Sequence, residues 1–220
     1  MRKEKIEILL KSLAVILSYF VYTKVVTSIL NLVFNGHFTD NYFYSFIADL
    51  IYFIIILAIY HKDLWNNIID LKKEPVKKLL NGIKWMVIAV VLQVVTINIL
   101  NAIGPYTAGN DEAVASLPAY YMIFKTIFFS ILVEEIIFRK SIRDVIDNKI
   151  LFIILSSLFY GFMNIVYSDL SGLNILSILP YFVSSLALSY LYVKYDNIVL
   201  VMLVKFLYNL IPLAVTLLGL

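Results

Sequence analysis

The stretch "ILVEEIIFRKSIRD", residues 131–144, closes a long apolar run with two adjacent carboxylates and, four residues on, an arginine. Charge in such surroundings is costly unless it is paired or put to use. What Glu134, Glu135 and Arg139 do depends first on the solvent the chain occupies. Of its 220 residues, 62% are hydrophobic and 15% charged, with a mean hydropathy of +0.90. Soluble domains use about 45–50% apolar and about 25% charged residues. The composition is therefore that of an integral membrane protein.

A hydrocarbon core of about 30 Å takes around 20 apolar residues per helical crossing. Seven stretches qualify, near residues 12–34, 42–60, 81–103, 119–138, 150–167, 174–193 and 197–219. The fold class expected is all-α, a polytopic transmembrane bundle of about seven helices. The breaks are polar or carry turn residues, among them "NGHFTDN", "GPYTAGNDEAVASLP" and "KYDN". Alternate breaks differ in charge. Arg2, Lys3 and Lys5 precede helix one, five lysines from Lys62 to Lys78 follow helix two, Arg139, Lys140, Arg143 and Lys149 follow helix four, and Lys194 follows helix six. The other three breaks contain no Lys or Arg. The positive-inside rule then expects a cytoplasmic N-terminus.

Helix one is expected to be retained, because its apolar run exceeds that of a signal peptide and no A-x-A-like site follows. Residues 1–118, with helices one to three and a cytoplasmic loop, and residues 119–220, with helices four to seven, read as two parts of one structural domain without internal repeats. The connection 61–78 reads either as an amphipathic helix on the inner surface, with Leu64, Ile68 and Leu71 on one face, or as a plain basic loop.

Within that topology Arg139 sits at the cytoplasmic interface, and the glutamates lie roughly 6–8 Å deeper by helical rise. Glu135 and Arg139 are four apart and can pair on one face. Glu134 points about 100° away from that face. Two readings stand side by side. Either Glu135 and Arg139 form an interfacial ion pair with Glu134 reaching for water, or Glu134 faces the bundle interior, where burial makes it a stronger base.

The segment "EEIIFR" resembles the E-E-x-x-x-R motif of the CAAX protease and bacteriocin-processing family, polytopic proteins that include endoproteases acting on prenylated CAAX proteins. "FYGFMN" is similar to that family's second motif, F-x-x-x-H, with Phe159 or Tyr160 as the aromatic residue and Asn164 in the histidine position. "VKFLYN" is similar to the third, with Lys205 in the histidine position and Asn209 retained. The resemblance covers about residues 119–212. It implies that Glu134 activates water, with Glu135 and Arg139 beside it, that Asn164 contacts that water, and that Lys205 and Asn209 donate to the oxyanion of an intramembrane peptidase.

Both motif histidines are replaced, and the chain's two histidines, His37 and His61, precede the motif region. Asparagine orients water but does not shuttle protons near neutrality. A lysine close to Glu134 would weaken it as a base; Lys205 is most economically read as a buried counter-ion of Glu134 or Glu135, beside the oxyanion role and a role in binding a lipid or a peptide carboxylate. Asn164, about 20 Å from the inner end of helix five by helical rise, is also readable as an interhelical hydrogen-bonding group. With no cysteine and no core histidine, three ligands for a hydrolytic zinc cannot be assembled, so neither a catalytic metal nor another cofactor is expected.

Three functions compete; a transporter or channel using the buried charges as an ion path ranks last, because inverted repeats and paired broken helices are lacking, and two are carried forward. The first is an endopeptidase of this family in which glutamate-activated water attacks a membrane peptide. The second is a degenerate relative that binds a membrane peptide, a lipidated protein or a membrane partner protein without cleavage, as in bacteriocin self-immunity or envelope regulation. Membrane lipids are expected partners, nucleic acid is not, and the expected location is a bacterial plasma membrane. Ser157, Gly161, Ser185 and Ser189 are spaced for close helix packing. Pro180 and Pro212 are expected to bend helices six and seven, and Asp49 to neutralise Lys24 or Lys84. The charge asymmetry makes the topology testable: cysteines placed at positions 38, 110 and 170 should react with impermeant reagents outside intact cells, and those at 75 and 145 should not.

Overall fold

The computed structural model describes residues 2–33, 41–104, 114–166 and 172–218; His37 and most of the breaks without Lys or Arg lie outside them. Seven helices run through the described chain: α1 (Arg2–Val33), α2 (Asn41–Leu71), α3 (Pro75–Ile103), α4 (119–145), α5 (Lys149–Ile165), α6 (Ile178–Tyr195) and α7 (Ile198–Leu218). Five of them, α1, α2, α3, α6 and α7, are long and apolar enough to cross a membrane, and α5 is a shorter apolar helix. Many large apolar side chains lie exposed on the outside, Leu32, Ile150 and Leu218 among the most open. A surface so apolar is what a lipid-facing bundle presents. The protein is an integral membrane protein built as an all-α bundle.

Local sequence explains where the helices start and stop. Proline opens α3, where its missing N–H is one the first turn leaves unpaired in any case. The Asn148 side chain caps α5, accepting from the Ile150 and Leu151 amides at 3.0 Å each. Asp196 takes a left-handed conformation, φ 47, to end α6. Asn197 then accepts from the Leu200 amide at 3.0 Å and starts α7. Pro180 sits in the first turn of α6 rather than at a bend, for the reason given for α3, whereas Pro212 lies inside α7.

The segment after residue 60 is neither a surface-lying helix nor a loop. α2 continues unbroken to Leu71, and a short turn leads to α3. The extension is held by the α6–α7 turn. Asn197 Nδ2 donates to the Asn67 carbonyl at 2.8 Å, and the Asn67 side chain accepts from the Ile198 amide at 2.6 Å. Lys78 closes the other side on Asp70 at 2.6 Å. Asn197 and Ile198 come from the far half of the sequence, which is why local pattern does not show their part of this support.

α4 is the central helix. Phe129, Val133, Ile136 and Ile137 on it have no accessible surface, and α1, α2 and α7 pack around it. Much of α4 is π-helical, over Phe124–Glu134 and again over Ile136–Ser141. Such wide i→i+5 turns are rare, occur mostly as single bulges, and are frequently found at functional sites. α5 and α6 pack against each other along their length. Ser189 meets Ser156 at 3.1 Å and Ser157 at 3.2 Å, and Ser156 also donates to the Phe138 carbonyl of α4. A Cβ on Gly161 would stand 3.1 Å from the Ile178 carbonyl oxygen and 3.2 Å from the Phe182 amide nitrogen, both backbone atoms. The small-residue spacing in the sequence is therefore a real packing seam. Gly161→Val should force α5 away from α6 and cost about 1–3 kcal/mol, as overpacking does. A lowered thermal midpoint of the purified protein in detergent would register this, and an unchanged midpoint would contradict the seam.

Candidate functional site: a buried ion cluster

Four helices converge on the quoted stretch. α4 supplies Ser130, Glu134, Glu135 and Arg139, α5 supplies Tyr160, α6 supplies Ser185, and α7 supplies Lys205 and Asn209. The centre is Lys205. Its ammonium lies 3.0 Å from Glu134 Oε2 and 2.9 Å from Glu135 Oε1. Arg139 Nη1 lies 3.2 Å from the same Glu135 oxygen, one helical step of four residues away. Two carboxylates and two cations thus form a cluster of zero formal charge.

The cluster is shut inside protein. Glu135 and Arg139 have no accessible side-chain surface, Lys205 has 2%, and Glu134 keeps 15%. The aromatic face of Tyr160 covers both cations, with Lys205 Nζ at 4.7 Å and Arg139 Cζ at 4.8 Å from the ring centroid. Arg139 Nη2 donates to Ser185 Oγ at 2.8 Å, and Ser130 Oγ donates to Glu134 Oε2 at 2.8 Å. The contacts to Glu135 are short but off hydrogen-bond alignment, and among the described residues neither Glu135 oxygen has a directed donor. Charge rather than hydrogen-bond geometry holds that carboxylate.

The two carboxylates are neighbours in sequence, and ideal winding turns them about 100° apart. Lys205 reaches both because α7 lies against the π-helical part of α4 and its long side chain places the ammonium between them. Asn209, one turn further along α7, donates to the Thr126 carbonyl within that π-helical segment at 2.8 Å. Its role in the structure is to bind α7 to the α4 backbone. Asn164 lies apart. Its amide donates to the Tyr160 carbonyl of its own helix at 2.8 Å, and it has no hydrogen bond to Glu134, Lys205 or Asn209 among the described residues. Of the six residues singled out from sequence, the structure brings together Glu134, Glu135, Arg139 and Lys205, sets Asn209 one turn away, and leaves Asn164 outside the polar contacts.

Ser130, Tyr160 and Ser185 complete the cluster. The first was within reach of sequence reasoning, since it precedes Glu134 by four residues on one helix face. Ser185 reads as a packing residue in the sequence, and only the tertiary approach of α6 gives it a cation. Asp49 is neutralised by Lys125 at 2.6 Å, not by Lys24 or Lys84, and it also accepts from Tyr22 at 2.6 Å and Tyr121 at 2.8 Å. Lys24 and Lys84 are both exposed on the outer surface, where long side chains can reach the interface.

Among the described residues no group of three or more His, Cys, Asp or Glu side chains could hold a metal ion. The donor set itself argues the same way. The space between the two carboxylates, where a cation would be attracted, is taken by the Lys205 ammonium. The residues present do not fit a catalytic metal.

An all-α membrane bundle with a buried acid–base cluster on its central helix is the class of protein that these observations define. Residues 116–211 match the family model described as type II CAAX prenyl endopeptidase Rce1-like. That is the family which the E-E-x-x-x-R segment resembles, and the motif-bearing part of the chain is CAAX-protease-like. No curated protein and no solved structure matches the chain.

Removing one member of a buried pair leaves an uncompensated charge, at a cost of about 3–5 kcal/mol. Lys205→Ala should lower thermal stability by that order, and adding Glu134→Gln should recover part of the loss. Glu134→Gln alone should be mild, because Lys205 keeps Glu135. Arg139→Ala should be clearly worse than Glu134→Gln. Additive losses in the Lys205 and Glu134 cycle would show that the two do not interact.

Proposed function

We propose that this chain is a degenerate CAAX-protease-like protein that binds a membrane peptide or membrane partner protein without hydrolysing it. The observation that carries the reading is the Lys205 ammonium, 3.0 Å from Glu134 and 2.9 Å from Glu135. A general base for water must hold a free lone pair within reach of that water. Here Oε2 of the carboxylate in the base position accepts from both an ammonium and the Ser130 hydroxyl, which leaves only Oε1 for water. No histidine stands in either motif position to carry a proton to a leaving amine. The share of the usual acid–base contribution, about 10²–10⁴-fold, that a histidine would supply is then missing.

In this reading the basic ends of the helices face the cytoplasm, and the setting is a bacterial plasma membrane, in bacteriocin self-immunity or envelope regulation. The bundle keeps the family's architecture and uses the cluster to lock α4, α5, α6 and α7 together around a recognition surface. A second reading, slow hydrolysis by glutamate-activated water, draws support from the residual 15% exposure of Glu134. One experiment separates them. The purified full chain in proteoliposomes is incubated with a library of membrane-anchored peptides, including prenylated ones, alongside Glu134→Gln. Saturable binding with no Glu134-dependent product is expected. Cleavage that disappears in Glu134→Gln would establish the hydrolase instead.

A further inference from the structure

The central helix carries one more buried ion pair, which takes no part in the cluster. Asp49 of α2 is 1% exposed and collects donors from two other helices. Tyr22 of α1 donates to its Oδ1 at 2.6 Å, and Tyr121 and Lys125 of α4 donate to its Oδ2 at 2.8 Å and 2.6 Å. Tyr121 and Lys125 are four apart and share a face, so one carboxylate fixes both the height and the rotation of that end of α4. The node is backed by packing. Tyr22 stacks on Tyr52 at 4.1 Å, the Tyr52 hydroxyl donates to the Val15 carbonyl at 3.1 Å, and the Lys125 ammonium lies 4.3 Å over the Phe129 ring.

We propose that Asp49 and Lys125 are positioning residues, whose ion pair sets the register of α4 and so holds Glu134 opposite Lys205. From Ala119 to Arg139 the charged residues of α4 are Lys125, Glu134, Glu135 and Arg139. The neighbouring helices answer them with opposite signs: α2 brings Asp49 to Lys125, and α7 brings Lys205 to both glutamates. α2, α4 and α7 pack on one another. A slip of α4 by one turn would take Lys125 from Asp49 and the glutamates from Lys205 together, stranding charge at membrane depth. Fixing a register is the best-attested use of buried polar and ionic groups.

The winding of α4 makes the outer anchor necessary. At 3.6 residues per turn the stretch from Lys125 to Glu134 would take about two and a half turns, and the wider turns of Phe124–Glu134 take fewer. Where Glu134 points therefore depends on where the helix is pinned before it. It is pinned at two consecutive residues, Lys125 by Asp49 and Thr126, through its carbonyl, by Asn209. Tyr22 and Asp49 precede the family-matched residues 116–211, so α1 and α2 belong to the geometry of the site as well as to the membrane anchor. The assignment is independent of whether Glu134 hydrolyses or only binds.

The test reads Glu134 in the full chain in nanodiscs without added peptide. Infrared spectra with carboxyl-¹³C glutamate, differenced against Glu134→Gln in the same background, isolate its band. In the double variant Asp49→Asn with Lys125→Gln, which leaves no unpaired charge, the band should shift to the position of a solvated carboxylate as Glu134 leaves Lys205. Lys125→Arg, which keeps the cation, should keep the wild-type band. Asp49→Glu, which retains the pair on an arm one methylene longer, should fold and shift the band part of the way. A wild-type band in the double variant, even with a lowered thermal midpoint, would make the pair purely structural and overturn the assignment. If the double variant does not fold, Asp49→Glu decides alone, and a wild-type band there overturns it equally.

Discussion

An ammonium group lodged between two adjacent carboxylates ties α7 to α4, and the rest of the bundle is arranged to keep it there. Glu134 and Glu135 carry two negative charges into a helix whose neighbouring side chains have no accessible surface. Desolvating either carboxylate alone would cost several kcal/mol, roughly, and a single partner could not answer both. Arg139 supplies one cation from the same helix and Lys205 the second from α7. The four charges cancel, and the Tyr160 ring and the Ser130 and Ser185 hydroxyls cover the ends of the cluster.

Neutrality at this cost constrains the helices around it. α6 must approach α4 closely enough for Ser185 to reach Arg139, and the seam of Ser156, Ser157, Gly161 and Ser189 lets α5 and α6 close up beside it. α7 must keep its register against α4, and the Asn209 bond to the Thr126 carbonyl holds it one turn beyond Lys205. The same geometry limits the chemistry. Oε2 of the carboxylate in the base position of the resembled motif accepts from an ammonium and a hydroxyl, so the contacts that tie α7 to α4 also occupy one oxygen of the group that would act on water. A buried ion cluster is in itself weak evidence of added stability, since desolvation offsets most of the attraction.

How much of this was legible in the sequence depends on the distance over which each feature is encoded. The seven helices follow from hydropathy, because lipid acts on each segment separately. The Glu135–Arg139 pair follows from a four-residue spacing on one helix. Lys205 was in view as a counter-ion, since an isolated lysine in an apolar helix needs a partner, but its choice of both glutamates rests on the π-helical winding of α4, which no local pattern announces. Asp49 shows the same limit. Its partner, Lys125, is 76 residues away, and several lysines satisfy the same arithmetic. The helix alternative for the segment after residue 60 holds as far as Leu71, but its continuity with α2 rests on the Asn67–Asn197 contact from the turn before α7, which no local pattern announces. Asn164 lines up with a family motif in sequence, yet its side chain bonds back to its own helix.

The ionisation state of the glutamates tests the central claim most directly. Infrared difference spectra of the protein labelled with carboxyl-¹³C glutamate, taken between wild type and Glu134→Gln at neutral pH, isolate the Glu134 group. Clamping by Lys205 predicts that the band lost is an ionised carboxylate stretch, unchanged in position when a binding peptide is added. A protonated carboxylic-acid band there, or a carboxylate that shifts as in free water, would contradict it.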